Sequence, residues 1–149
     1  MKISKLTSAY IAGFVDGEGY LGITRNRAHS GSIYYRAVMK VAGTDEKQIR
    51  WFHESFSGWF ETRDFPNTNN KRAYMWTITG KGLKPFLMKI YPYLKIKRPQ
   101  AEIIFEKERL KSLRVNKGGK EGWVYPKGVK EKIEELYFQI RKLNKRGKN

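Results

Sequence analysis

The sequence predicts an α+β protein with a four-stranded antiparallel sheet, and three observations support this. Segments with an apolar residue every three or four positions indicate helices, and segments that alternate apolar and polar residues indicate strands. Along the 149 residues these segments follow the order helix, hairpin, helix, hairpin and then further helices. Strands joined by short turns favour antiparallel pairing. We therefore expect helices on one face of the sheet and an open opposite face.

The composition indicates a polyanionic partner. Lys and Arg total 31 against 14 acidic residues, which gives a formal charge of +17. An excess of this size is typical of nucleic-acid binding. The chain has no cysteine, which excludes disulfides, thiol chemistry and zinc fingers. No segment approaches the roughly 18 apolar residues of a membrane span. We expect no membrane partner and an intracellular protein located at DNA, in a prokaryotic cytoplasm or an organelle.

The first helix is expected at residues 8–17, with Thr7 or Ser4 as its N-cap. It carries two stripes of residues that recur every four positions, each on one side of the helix. The apolar stripe is Leu6, Tyr10 and Phe14, and the stripe of small residues is Ala9, Gly13 and Gly17. Packing on the protein's own sheet explains one stripe. The small residues therefore indicate that a second backbone approaches closely.

Two acidic residues, Asp16 and Glu18, stand at the end of this helix. The helix dipole is negative at its C-terminus and favours cations, so each acid there costs roughly 0.3–1 kcal/mol. A sequence that keeps both acids at this position indicates a cation that they hold.

Two hairpins and a second helix follow. The first hairpin is expected to pair residues 20–27 with 33–42, and the second to pair 59–65 with 72–79 around a turn at 66–71. Between them, Asp45 or Thr44 caps a helix that ends at Gly58. The fourth strand is compatible with either face inward, because both of its faces carry large side chains. A two-stranded ribbon of this kind fits the major groove of DNA.

The open face of the sheet is expected to bind DNA through basic, aromatic and small polar side chains. These candidates are Tyr20, Thr24, Asn26, Tyr34, Arg36, Lys40, Arg63, Arg72, Tyr74 and Trp76. Beyond the hairpins, helices are expected at residues 83–91, 99–113 and 129–143. We expect a core domain over residues 1–114, followed by a linker and an amphipathic C-terminal helix, packed on that core, over 115–149.

The nine residues IAGFVDGEG, from Ile11 to Gly19, resemble the LAGLIDADG signature of homing endonucleases. Asp16 and Gly19 match that signature, and Glu18 takes the place of its second Asp. The resemblance extends to residues 48–52 and to the run of proline, hydrophobic residues and lysines at 92–97. The chain carries a single copy of the motif. It therefore resembles the single-motif, homodimeric type of this family.

This resemblance implies the αββαββα saddle fold and a homodimer that cuts double-stranded DNA at a long, near-palindromic site. Such an enzyme serves intron or intein homing, and the alternative is a non-cleaving binder such as an RNA maturase or a DNA-binding regulator. The implied dimer interface is Ala9, Ala12, Gly13, Asp16 and Gly17, with Asp16 capping or bonding the partner helix and with Tyr10 and Phe14 in each subunit's own core.

The resemblance also implies Mg²⁺, held by Glu18 and the carbonyl of Gly17, and no small-molecule cofactor. Glu18, Lys97 and Asp45 are the implied catalytic residues. Ile49 stands where relatives can have a basic residue, and Arg50 is the neighbouring candidate for that role. Metal ions of this kind activate water and neutralise charge during phosphodiester hydrolysis.

Overall fold

The computed structural model describes residues 2–66, 69 and 71–145. Four strands form a sheet in the order β1-β2-β4-β3, and two short strands form a separate pair. The elements are α1 Lys5–Glu18, β1 Gly19–Arg27, β2 Ile33–Gly43, α2 Glu46–Phe56, β3 Trp59–Arg63, β4 Ala73–Thr79, α3 Leu83–Ile90, α4 Arg98–Lys111, β5 Val115–Asn116, β6 Trp123–Val124 and α5 Val129–Asn144. The predicted α+β class with a four-stranded antiparallel sheet is confirmed.

Most boundaries lie within a few residues of the predicted ones, and caps explain the differences at α1 and α2. Ser4 is the N-cap of α1, and its Oγ accepts the N–H of Thr7 at 3.0 Å. Asp45 caps α2, which ends at Phe56 because Ser57 has φ 60°. The predicted linker at 115–128 contains β5 and β6. Residues 67, 68 and 70 of the predicted turn lie outside the described residues.

By their contacts, the described residues form two compact units. The first comprises residues 2–21 and 38–98, and the second comprises 22–37 and 99–145. This division groups residues 22–37, which are most of β1, the turn after it and the first part of β2, with the C-terminal helices. It does not coincide with the predicted boundary at residue 114.

The core of the first unit is built around Trp76 of β4, which is 0% exposed. Its ring stacks on Phe52 of α2 at 5.1 Å and meets Phe86 of α3 at 5.5 Å. Its Nε1 donates to the carbonyl of Ser57 at 2.5 Å. The adjacent Gly58 has φ 86°, and a Cβ there would lie 2.6 Å from the carbonyl oxygen of Thr77. The prediction that Trp76 binds DNA is therefore wrong.

The position of Trp76 also decides the orientation of the fourth strand. Side chains alternate along a strand, so Tyr74, Trp76 and Ile78 share the helix-covered face. Tyr74 stacks on Phe60 at 6.1 Å, and after Arg50 it helps to lower the pKa of Glu46 of α2. The prediction of Tyr74 on the open face is wrong for the same reason.

The first helix buries a different face from the expected one. Its buried residues are Ser8, Ile11, Ala12 and Val15. Leu6 is 82% exposed and Tyr10 is 51% exposed, whereas the ring of Phe14 lies 5.6 Å from that of Phe52. The expectation that Tyr10 packs into the subunit's own core is therefore wrong, while Phe14 contacts that core.

The second unit has its own small core of Leu110, Val129 and Ile133, against which Tyr35 packs. The hydroxyl of Tyr35 donates to Glu134 at 3.1 Å. Lys107 of α4 is 2% exposed, and its Nζ donates to Glu108 at 2.9 Å. In the part of the chain that the structure describes, no helix is both long and apolar enough to cross a membrane.

Candidate functional site

The candidate site lies where α1 passes directly into β1. Gly19 ends the helix with an extended backbone, and its N–H donates to the carbonyl of Val15. A Cβ on Gly19 would lie 2.7 Å from that carbonyl oxygen, so only glycine allows this close turn. The turn leaves Glu18 as the last helical residue, with an exposed side chain.

Asp16 faces away from the exposed side of α1 and holds the segment before α4. Its Oδ2 accepts the backbone N–H of Lys95 at 2.8 Å. Its Oδ1 accepts those of Ile96 at 3.2 Å and Lys97 at 2.9 Å. Both carboxylate oxygens of Asp16 are thus engaged within its own chain, and the expected contact of Asp16 with a partner helix stays a prediction.

Lys97 lies immediately before α4 and points back to the end of α1. Its Nζ donates to the carbonyl of Asp16 at 2.6 Å, and its side chain is half-buried. Burial lowers the pKa of Lys97, and the negative charges of Asp16 and Glu18 partly offset this. The structure thus brings Lys97 into the electrostatic field of Glu18. A lysine with a lowered pKa gives up its proton more readily than an ordinary surface lysine.

The oxygen donors at this helix end fit a hard divalent cation. Glu18 offers a carboxylate, and Gly17 belongs to the last turn, whose carbonyls lack partners within a helix. Among the described residues, no group of three or more His, Asp or Glu side chains is arranged to hold a metal. A set of one carboxylate and one carbonyl fits Mg²⁺, which commonly completes its shell with phosphate oxygens and water.

Asp45 and Arg50 are engaged in local roles on α2. The Oδ1 of Asp45 accepts the N–H of Gln48 at 3.0 Å as the N-cap of α2. Ile49 is buried in the core, so the position cannot present a polar group to a site. Arg50 pairs with Glu46 at 2.5 Å and covers the ring of Phe60 at 4.4 Å. Arg50 therefore contacts Glu46 and Phe60 on the surface of α2, and these contacts do not correspond to the suggested catalytic role.

The outward side of α1 is apolar and open. A Cβ added at Gly13 or Gly17 would meet nothing within 4 Å, and Ala9 is half-buried. The exposed Leu6 and Tyr10 line a groove of about 580 Å³ together with Trp51 of α2. Sequence reasoning did not assign Trp51 to this surface. Ala12 is 0% exposed within its own chain, so its assignment to a dimer interface is corrected.

The open sheet face of the first unit is defined by the pairing of β2, β4 and β3. Lys40 and Trp59 both pair with Thr77, so these three side chains form one row. The next row on β4 and β3 joins Met75 to Glu61, and Arg63 follows on the same face. Trp59 is 67% exposed, and sequence reasoning missed it. Its place opposite Thr77, on the face away from Trp76, identifies it once the orientation of β4 is known.

The other DNA-binding candidates of the first unit occupy different surroundings. Tyr20 is an exposed residue of β1. Arg72 precedes β4 and pairs with Asp64 at 2.5 Å, and this hydrogen bond raises the pKa of Arg72. The charge of Arg72 is thus partly neutralised by a neighbouring carboxylate.

The remaining predicted DNA-binding residues lie in the second unit and contact one another. Thr24 Oγ1 donates to the carbonyl of Arg36 at 3.3 Å, and Asn26 Nδ2 donates to Thr24 Oγ1 at 2.9 Å. The guanidinium of Arg36 lies 5.7 Å from the centre of the Tyr34 ring. These contacts keep two polar side chains and an Arg–Tyr pair together on the hairpin.

The fold is similar to that of several solved homing endonucleases. The homing endonuclease I-CvuI, in complex with its target, matches with a TM-score of 0.72 and 18% identity over 97% of this chain and 86% of its own. The archaeal intron-encoded homing endonuclease I-Vdi141I, complexed with DNA, matches with a TM-score of 0.69 and 15% identity over 95% and 86%. No protein-family model and no curated protein matches the sequence.

A longer relative is also similar. The LAGLIDADG homing endonuclease I-SmaMI, bound to cleaved DNA, matches with a TM-score of 0.65 and 17% identity over 93% of this chain. This chain spans only 45% of the length of I-SmaMI. At such identities the similarity shows a shared fold.

Proposed function

We propose that this chain, which has the fold of the LAGLIDADG homing endonucleases, is one subunit of a site-specific, divalent-metal-dependent double-strand DNA endonuclease. The observation that carries this proposal is the hydrogen bond from Lys97 Nζ to the carbonyl of Asp16, which holds the lysine at the C-terminal end of α1, where Glu18 stands. Glu18 supplies a carboxylate for a metal ion, and Lys97 supplies a cationic side chain for a phosphate. Both lie beside the outward side of α1, which a second helix can approach.

Several features support DNA as the substrate. The formal charge of +17 favours a polyanion, and the open sheet face presents Lys40 and Arg63. The I-CvuI, I-Vdi141I and I-SmaMI structures all contain DNA. Strand ribbons enter the major groove, where each base pair has a distinct pattern of donors and acceptors.

The outward side of α1 supports a homodimer. Gly13 and Gly17 leave open space for a second backbone, and Leu6 and Tyr10 expose apolar surface beside them. Apolar area removed from water contributes about 25 cal/mol per Å², from which the entropic cost of association is subtracted. This chain is less than half as long as I-SmaMI. Two copies related by a two-fold axis would bring two Glu18 side chains together, one for each DNA strand.

In this proposal Glu18 and the carbonyl of Gly17 would hold Mg²⁺ together with phosphate oxygens and water. When bound, the ion would lower the pKa of its water and neutralise charge on the scissile phosphate. Lys97 would place its ammonium near the same phosphate and stabilise negative charge that develops there. Asp16 would act as a positioning residue, because it holds both the backbone and the side chain of Lys97.

The decisive experiment compares the wild type with E18Q on a near-palindromic duplex selected from a randomised library. With Mg²⁺, the wild type is expected to cut both strands, and E18Q is expected to bind the duplex without cutting it. The control is E54Q, which removes one exposed carboxylate from α2 and is expected to cut normally. Cutting by E18Q would remove Glu18 from the mechanism. Binding without cutting by the wild type would favour the non-cleaving alternative.

A further inference from the structure

A carboxylate stands on the sheet surface that is proposed to face DNA. Glu61 of β3 pairs with Met75 of β4, and it lies next to the row of Lys40, Thr77 and Trp59. All five residues line a groove of about 560 Å³ at this corner of the sheet. Arg63 donates to Glu61 at 3.3 Å, and both side chains remain substantially exposed.

A carboxylate at this position is unfavourable for DNA binding by itself, because DNA phosphates repel it. Coulomb repulsion weakens binding unless the carboxylate accepts a hydrogen bond from the DNA. A carboxylate has no proton to donate at neutral pH, so it requires a donor on a base edge. The neighbouring Arg63 explains how Glu61 is tolerated in free protein, but Arg63 can turn to a phosphate when DNA binds.

The base edges in the major groove differ in whether they offer a hydrogen-bond donor to a carboxylate. Guanine presents two acceptors and thymine presents an acceptor beside its methyl group, and both oppose a carboxylate. Adenine presents the N6 donor beside the N7 acceptor, so attraction and repulsion compete. Cytosine presents the N4 donor alone, which makes it the base that a carboxylate favours.

We propose that Glu61 is a specificity-determining residue that selects a cytosine in each half-site, with Trp59 and Met75 as the apolar walls of its groove. This proposal rests on the proposed DNA endonuclease function. The apolar walls exclude water around the hydrogen bond, which strengthens it and increases the penalty for a base without a donor. Lys40, in the same groove, supplies a donor for a neighbouring guanine or a phosphate.

The test is a comparison of binding and cleavage profiles on a randomised duplex library for the wild type, E61Q and E54Q. The wild type is expected to favour cytosine at one position of each half-site, by about tenfold to a hundredfold over other bases. E61Q is expected to shift that position towards adenine, because an amide pairs with both N6 and N7 of adenine. E54Q, which removes a carboxylate on α2, is expected to keep the wild-type profile.

The other outcomes have separate meanings. If E61Q binds every duplex more tightly and its base preferences equal those of the wild type, Glu61 acts only as a repulsive charge and the proposal is overturned. If the wild type selects no duplex at all, the proposed function fails and the role of Glu61 fails with it. Since Glu61 is on the surface, circular dichroism of E61Q should match that of the wild type.

Discussion

The ammonium of Lys97 donates to the backbone carbonyl of Asp16 at 2.6 Å, and the carboxylate of Asp16 accepts the backbone N–H of Lys97 at 2.9 Å. These reciprocal bonds tie the end of α1 to the segment that leads into α4. Asp16, in the last turn of α1, therefore also determines where the lysine side chain lies. Glu18, two positions after Asp16, shares this fixed environment.

The first prediction concerns the carboxylate of Asp16. D16A is expected to lower the free energy of unfolding by about 3 kcal/mol, because hydrogen bonds to a charged group contribute about 1.5–3 kcal/mol each and are not additive within one side chain. D16N should lose less stability, since its amide oxygen still accepts a hydrogen bond from a backbone N–H of this segment. Urea denaturation measures both values. Equal stability of D16A and the wild type would show that these bonds do not anchor the segment.

The second prediction concerns the ammonium of Lys97. K97M is expected to slow single-turnover cleavage by about 10²–10³-fold, the usual effect of removing one donor to developing charge. DNA affinity should change little. The matched control is K95M, because Lys95 lies two residues away with an exposed side chain. Similar losses in both variants would indicate a general charge effect on DNA binding.

The lowered pKa of Lys97 gives a third prediction, on pH. If the charged lysine stabilises the reacting phosphate, cleavage should fall as pH rises through this lowered pKa, which is earlier than for an ordinary lysine. K97R stays charged, so its residual activity should lack that fall. Single-turnover rates across the alkaline range test this. The same alkaline fall in K97R would assign it to another group.

The fourth prediction concerns the outward side of α1. G13L is expected to fold well, since a side chain there meets nothing within 4 Å in the chain, and leucine favours helix more than glycine does. The same leucine would separate two closely packed helices, so the protein should become monomeric and stop cutting. Light scattering and circular dichroism distinguish these effects. A dimeric G13L would place the interface elsewhere.

The fifth prediction concerns the buried Lys107 and its partly buried partner Glu108 in the second unit. Removing the carboxylate leaves a buried charge unpaired, so E108Q is expected to lose roughly 3–5 kcal/mol of stability. K107M should lose less, because Glu108 keeps some contact with solvent. A loss in K107M as large as that in E108Q would contradict this account.

The pH dependence of this pair follows from the lowered pKa of Lys107, which burial causes first. The folded protein binds fewer protons there than the unfolded chain, so stability rises with pH between the lowered pKa and the ordinary lysine pKa. K107M should lack this gain. Taking the difference between wild type and K107M cancels the contributions of other groups, and chemical denaturation across that window measures it.

Local periodicity predicted the helices and hairpins because each depends on neighbouring residues. It could not orient β4, since Trp76 and Met75 are both large and apolar, and only the contact with Phe52 decides between them. Hydrophobicity also cannot separate a core side chain from an exposed apolar one, which is why Tyr10 was misplaced. The role of Asp16 depends on a segment about 80 residues later, beyond any local pattern.

The bond from Trp76 to the carbonyl of Ser57 has a consequence for how this surface can change. It anchors the turn before β3 from the helix-covered side of the sheet. A shift of one residue in the pairing register of β3 would move each of its side chains to the opposite face of the sheet. Trp59 and Glu61 project from the opposite side and take no part in this anchor. In the proposed function, the anchoring residue Trp76 thus lies on one face of the β3–β4 pair, and the residues that contact DNA lie on the other. Evolution or protein engineering can therefore change Trp59 and Glu61, and with them the proposed DNA preference, while the pairing of the strands stays intact.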